Sequence, residues 1–141
     1  MLTATLSTHP ATTVARGFEM VDDENIVGRN RGVIRSICEA IVQFRELSST
    51  MPVGEVQMFL TVALNEGMSL TELAEKADMK KSTASRYLLD LSDKTRAGGA
   101  GYGLITREAD PEELRRNMYA LSPKGRKIVQ RLVAANSNSK D

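Results

Sequence analysis

Lys80, Lys81, Ser82, Thr83, Ser85 and Arg86 are crowded between positions 80 and 86, and their side chains are of the kind that meets an anionic duplex. Ammonium groups at a helix start neutralise phosphates, hydroxyls bond phosphate oxygens or base edges, and a guanidinium can bond a guanine edge in two-pronged fashion. Three further cations, Arg107, Arg115 and Arg116, follow in a segment rich in turn residues. Arginines presented there have the charge and shape to enter a narrow minor groove. The plainer alternative for residues 80–86 is a solvated basic helix face.

The other reactive side chains do not assemble into chemistry. One Cys and one His cannot build the common Cys/His zinc sites, and one Cys cannot form an internal disulfide framework. Asp22, Asp23 and Glu24 are adjacent carboxylates in a polar arm, a pattern of solvated charge rather than of a metal site. His9 has no base, nucleophile or ligand beside it. Cys38 lies on a stripe of Ile and Val and reads as a packed small hydrophobe, not a redox switch. Gly98, Gly99, Gly101 and Gly103 are spaced for neither a Walker loop nor a dinucleotide fingerprint, and suggest a flexible loop over 96–103. We therefore expect no catalytic residues, no metal site, no cofactor and no enzyme activity.

The cations need a scaffold, and residues 69–92 supply it as two helices and a corner. Apolar and small residues recur at helical spacing, first at Leu70, Leu73, Ala74 and Ala77, then at Ala84, Tyr87, Leu88 and Leu91. Asp78 tolerates a left-handed conformation at the corner, and Ala74 lets the helices approach. Ser69 and Glu72 form a capping-box pattern, whereas Lys80 is a weak cap for the second helix. A preceding helix runs from about Val53 to Asn65 after Pro52, with Val56, Phe59, Leu60, Ala63 and Leu64 on its buried side. Before it, residues 29–48 carry Val33, Ile34, Ile37, Cys38, Ile41, Val42, Phe44 and Leu47 on a broad stripe, a core or dimer helix.

Downstream, residues 103–122 read as a β-hairpin. Leu104–Thr106 and Met118–Leu121 are its strands, and the tip carries Arg107, Glu108, Asp110-Pro111, Glu112, Glu113, Arg115 and Arg116. A hairpin directly after a helix-turn-helix is a wing. A last helix occupies 124–135, residues 136–141 are a tail, and 1–28 form an arm broken by Pro10, Gly17 and Gly28. The fold class is mainly α with a small β-hairpin, a winged helix-turn-helix, built as one domain over 29–135.

The chain has 141 residues and a net charge of +1, but the charge is unevenly spread. Residues 1–79 hold 6 Lys/Arg against 11 Asp/Glu, and residues 80–131 hold 12 against 6. Such a division steers one face toward nucleic acid even when the total is near neutral. No apolar run is long enough for a membrane span, and the N-terminus lacks the basic start and apolar run of a secretory signal. The expected location is the cytoplasm.

The order of helix, ELAEKADMKKSTASRYLLDL, GLITRE and DPEELRRNMYALSPKG resembles the DNA-binding lobe of the MarR family of bacterial transcription regulators, over residues 52 to 130. The resemblance implies Arg115 in the minor groove, Ser82, Ser85 and Arg86 against the major groove, and Glu113 holding Arg115, with Glu in place of the family's usual Asp. It also implies a homodimer, here leaning on the first helix and the C-terminal helix. TRAGGAGY is an insertion before the wing. The helix after Gly125 is shorter than the family's C-terminal region, which counts against a small-molecule effector. The expectation is thus a sequence-specific regulator that binds double-stranded DNA, with a winged-helix protein-docking or replication-initiation module as the alternative.

Overall fold

The computed structural model describes residues 25–93 and 99–138. Along them run α1 (Ile26–Arg29), α2 (Arg31–Leu47), α3 (Val53–Leu64), β1 (Met68–Ser69), α4 (Leu70–Ala77), α5 (Lys81–Leu91), β2 (Ile105–Ala109), β3 (Asn117–Leu121) and α6 (Pro123–Asn138). The arm before Asn25, the first half of the Gly-rich loop and the last three residues lie outside the described residues.

The helix-turn-helix is built by local signals. Ser69 Oγ accepts from the Glu72 backbone N–H at 3.3 Å, and the Ser69 N–H donates to Glu72 Oε1 at 3.0 Å, closing the capping box of α4. At the corner Asp78 is left-handed, with φ 55° and ψ 50°, and the Met79 N–H returns to the Ala74 carbonyl at 2.9 Å. Lys80 is the N-cap of α5 and gives it no side-chain cap. Leu73, Ala74 and Ala77 then meet Ala84, Leu88 and Leu91 in one buried core.

α3 closes that core, packing on α4, α5 and β3. Its buried residues are Glu55, Met58, Phe59, Thr61 and Val62, of which Glu55, Met58, Phe59 and Val62 follow one another at spacings of three, one and three. Leu60 and Leu64, expected inside, are exposed. An almost wholly apolar helix offers more than one stripe, and only its neighbours decide which is used.

The sheet has three strands in the order β1-β3-β2, all antiparallel. β1 was not expected; it pairs Met68 with Tyr119 and Ser69 with Met118, so Ser69 is both strand end and helix cap. The hairpin begins later and runs further than its apolar residues suggest, with Ile105 opposite Leu121 and Ala109 opposite Asn117. Arg107 and Glu108 therefore stand in β2 rather than at the tip.

The Gly-rich loop departs from the expected flexible segment over its described half. Backbone N–H groups of Gly101, Tyr102, Gly103 and Leu104 donate to carbonyls of Asp93, Asp90, Ser92 and Leu91 at 2.7 to 3.0 Å. These bonds satisfy carbonyls at the C-terminal end of α5, which a helix end otherwise leaves unpaired. A Cβ on Gly101 would lie 2.0 Å from the Ser92 carbonyl oxygen, so the clamp requires glycine there.

α2 departs most. It packs chiefly on α6, and only Phe44 is buried, edge-on to Phe59 with ring centroids 5.6 Å apart. Val33, Ile34, Ile37, Ile41 and Val42 are exposed, and so is Cys38, which corrects its expected burial. Among the described residues no second layer lies over this stripe. The last helix also runs on to Asn138, past its expected end at residue 135, because nothing between Val133 and Asn138 breaks a helix.

Candidate nucleic-acid interface

The buried residues of α5 fix what is left facing outward. With Ala84, Leu88 and Leu91 turned into the core, Lys80, Lys81, Ser82 and Arg86 are exposed, and Thr83 and Ser85 are half-buried. Lys81 and Ser85, like Ser82 and Arg86, are one helical turn apart, so four of these side chains share one face. The guanidinium carbon of Arg86 lies 5.5 Å from the centre of the Tyr87 ring, a cation–π distance that steadies the side chain without using its donors.

The wing meets this helix at an open cleft of about 520 Å³, lined by residues including Thr71, Glu72, Lys81, Arg115, Arg116 and Tyr119. Lys81 and Arg115 thus border the same concavity, although 34 positions separate them in the chain. That juxtaposition brings together the two basic groups expected from sequence.

Arg116 plays a different part from the one expected. Its Nη2 donates to Glu72 Oε1, the oxygen that also closes the α4 capping box, and its Nε stands 3.8 Å from Asp110 Oδ2. The wing base is therefore tied to the start of α4 through one guanidinium. The Ser69 backbone and hydroxyl, with Arg116 adding to them, hold the Glu72 carboxyl below the usual carboxylate range. Glu113 makes no ion pair with Arg115 among the described residues; its backbone N–H donates to the Asp110 carbonyl at 3.2 Å. This corrects the expected Glu113–Arg115 clamp: the turn puts Arg116, not Arg115, over the acidic groups and leaves Arg115 exposed.

Arg107 is set apart from the cleft that holds Lys81. It stands opposite Tyr119 in the β2–β3 ladder and borders a second cleft with Leu89 and Asp93. Burial pushes the Tyr119 hydroxyl above its ordinary pKa, with Arg107 acting against it.

Sequence reasoning missed Glu55. It is only 2% exposed on the first turn of α3, and Oε1 has no hydrogen-bond partner among the described residues. Burial, and then Asp90 on α5, raise its pKa from 4.5 to about 7, with Arg86 pulling the other way. An acid in a first helical turn ordinarily reads as a favourable dipole contact, so nothing in the pattern marked it.

Among the described residues no group of three or more His, Cys, Asp or Glu could hold a metal ion, and no helix is long and apolar enough to cross a membrane.

Residues 63–94 match the IclR helix-turn-helix domain family. Among curated proteins none matches the chain by sequence. Solved structures similar to it include the Staphylococcus aureus MepR–DNA complex, at 15% identity over 84% of this chain and 87% of that one, with a TM-score of 0.62. A MarR-family transcriptional regulator from Silicibacter pomeroyi is 24% identical over 84% of this chain and 73% of its own, with a TM-score of 0.51. The Streptomyces coelicolor PcaV transcriptional regulator, solved with its natural ligand, is 17% identical over 95% and 77%, with a TM-score of 0.52. The chain shares with these proteins the winged helix-turn-helix fold.

Proposed function

We propose that the protein is a non-enzymatic, sequence-specific transcription regulator that binds double-stranded DNA, with α5 in the major groove and the wing in the adjacent minor groove. The observation that carries this reading is the cleft bordered by both Lys81 and Arg115, which gives recognition helix and wing one cationic surface. Lys80 and Lys81 neutralise phosphates, Ser82, Ser85 and Arg86 meet base edges, and Thr83 contributes its half-buried hydroxyl. Arg115 enters the minor groove, Arg107 meets backbone at the wing's outer edge, and Arg116 orients the wing through its ion pair with Glu72. The likeness of fold to the MepR–DNA complex supports this docking. The reading places the protein in the cytoplasm.

A second copy of the chain is the proposed cover for α2. Its Val33, Ile34, Ile37, Ile41 and Val42 are exposed, and so is Val133 of α6, the helix it packs on. A two-fold dimer would present two α5 helices, and so prefer a near-palindrome with half-sites about 10 bp apart.

Selection of bound sequences from a random duplex pool, followed by titration of the recovered site against salt, tests the reading. A single recovered motif is expected, with affinity falling steeply as salt rises because phosphate contacts release counterions. Recovery of no motif, together with no binding at low salt, would overturn it.

A further inference from the structure

Glu55 lies directly behind the proposed recognition helix. Gly54 makes that closeness possible: a Cβ there would come within 2.8 Å of the Tyr87 ring, so α3 and α5 touch where no larger residue fits. Across this contact Asp90 and Arg86 of α5 act on the Glu55 carboxyl in opposite senses, Asp90 raising its hold on the proton and Arg86 lowering it. Arg86 and Asp90 are one helical turn apart on α5, which leaves Arg86 two destinations, outward to a base edge or back along its own helix. A buried carboxyl with an unpartnered oxygen is rare enough to call for a role beyond packing.

We propose that Glu55 is a positioning residue for Arg86, resting on the DNA reading above: protonated, it shares its proton with Asp90 and leaves Arg86 to the DNA, whereas ionised, it and Asp90 together draw the guanidinium back. The change falls near neutrality, because burial and Asp90 raise Glu55 to about 7. Besides α5, which also carries Lys81 and Tyr87, α3 packs on α4 and β3, whose titratable or charged side chains include Glu72, Glu75, Lys76 and Tyr119, and it meets α2 through Phe59 and Phe44. The charges acting on Glu55 come instead from Asp90 and Arg86. Taking Arg86 away to DNA removes a cation from the carboxyl pair and raises its hold on the proton, so DNA binding takes up protons and tightens as pH falls through about 7.

Two readouts on the full chain test this. In an NMR pH titration without DNA, the Arg86 side-chain resonance should follow the Glu55 carboxyl midpoint and cease to do so in Glu55→Gln. With the selected duplex at constant ionic strength, wild type should bind roughly 3- to 10-fold tighter at about pH 6 than at about pH 8, a coupling of ordinary size. Glu55→Gln should hold the tighter affinity at both values, and Asp90→Asn, a change on the half-exposed side of the pair, should flatten the profile likewise. An Arg86 resonance indifferent to Glu55, or a Glu55→Gln profile equal to that of wild type, overturns the proposal. Failure to bind DNA at either pH would instead end the DNA reading, and the NMR titration would still decide whether Glu55 governs Arg86.

Discussion

α2 and α3 carry comparable stripes of branched and aromatic residues, yet the chain treats them oppositely. Met58, Phe59 and Val62 of α3 have no exposed surface, whereas Val33 and Ile37 of α2 are 59% and 58% exposed. The difference lies in the neighbours: α3 is enclosed by α4, α5 and β3, and α2 rests chiefly on α6. A hydrophobic stripe therefore announces that a surface will be covered without saying whether the cover is the same chain. Contiguous exposed apolar surface of this kind marks an interaction face in soluble proteins.

Substitutions on the two helices sharpen that contrast. Phe59→Ala removes a fully enclosed ring, and chemical denaturation should show a loss of about 3 to 5 kcal/mol. Next comes the polar exception within the α3 core. Glu55 has a folded-state pKa raised from 4.5 to about 7, so its neutral form is favoured in the native state. Stability it contributes is whole below the unfolded value and is lost as pH rises through the folded one. Glu55→Gln should therefore leave stability near pH 4 little changed and raise it near pH 8, by roughly 1 to 3 kcal/mol, as denaturation curves at the two values would reveal.

Ser69→Ala removes the cap of α4 and one of the holds on Glu72, and should cost about 1 kcal/mol in the same assay. The smallest effect on the fold of one chain is expected from Ile37→Asp, about 0.5 kcal/mol or less, because that side chain is exposed. Its effect on assembly should be large: sedimentation should find a dimer for wild type and a folded monomer for the variant. A wild-type monomer, or an Ile37→Asp chain that unfolds like Phe59→Ala, would break the contrast between the two helices.

What could be read from sequence follows the same line between near and far. The Asp78 corner, the Ser69–Glu72 box and the weak cap at Lys80 depend on residues within a turn of one another, so spacing reveals them. Arg116 finds Glu72 across 44 positions, and β1 is a strand only because Met68 and Ser69 meet β3. Neither partnership leaves a local mark. Glu55 was hidden because α3 meets another helix there, with Gly54 against the Tyr87 ring, and no local pattern marks that packing. The basic face was legible as a set of residues, but the division of labour within the wing, with Arg116 turned inward and Arg115 outward, required coordinates.

Directed DNA cleavage tests the joint surface most directly. In a Cys38→Ser background, a hydroxyl-radical-generating iron chelate is attached through Ser82→Cys at the start of α5 or Leu114→Cys at the wing, where the native leucine is 78% exposed. The account predicts major-groove cuts from the first and minor-groove cuts from the second, about half a helical turn apart, roughly 5 bp, on the selected site. Cuts from α5 with none from the wing, or wing cuts unrelated in position to those from α5, would contradict a single surface spanning both grooves.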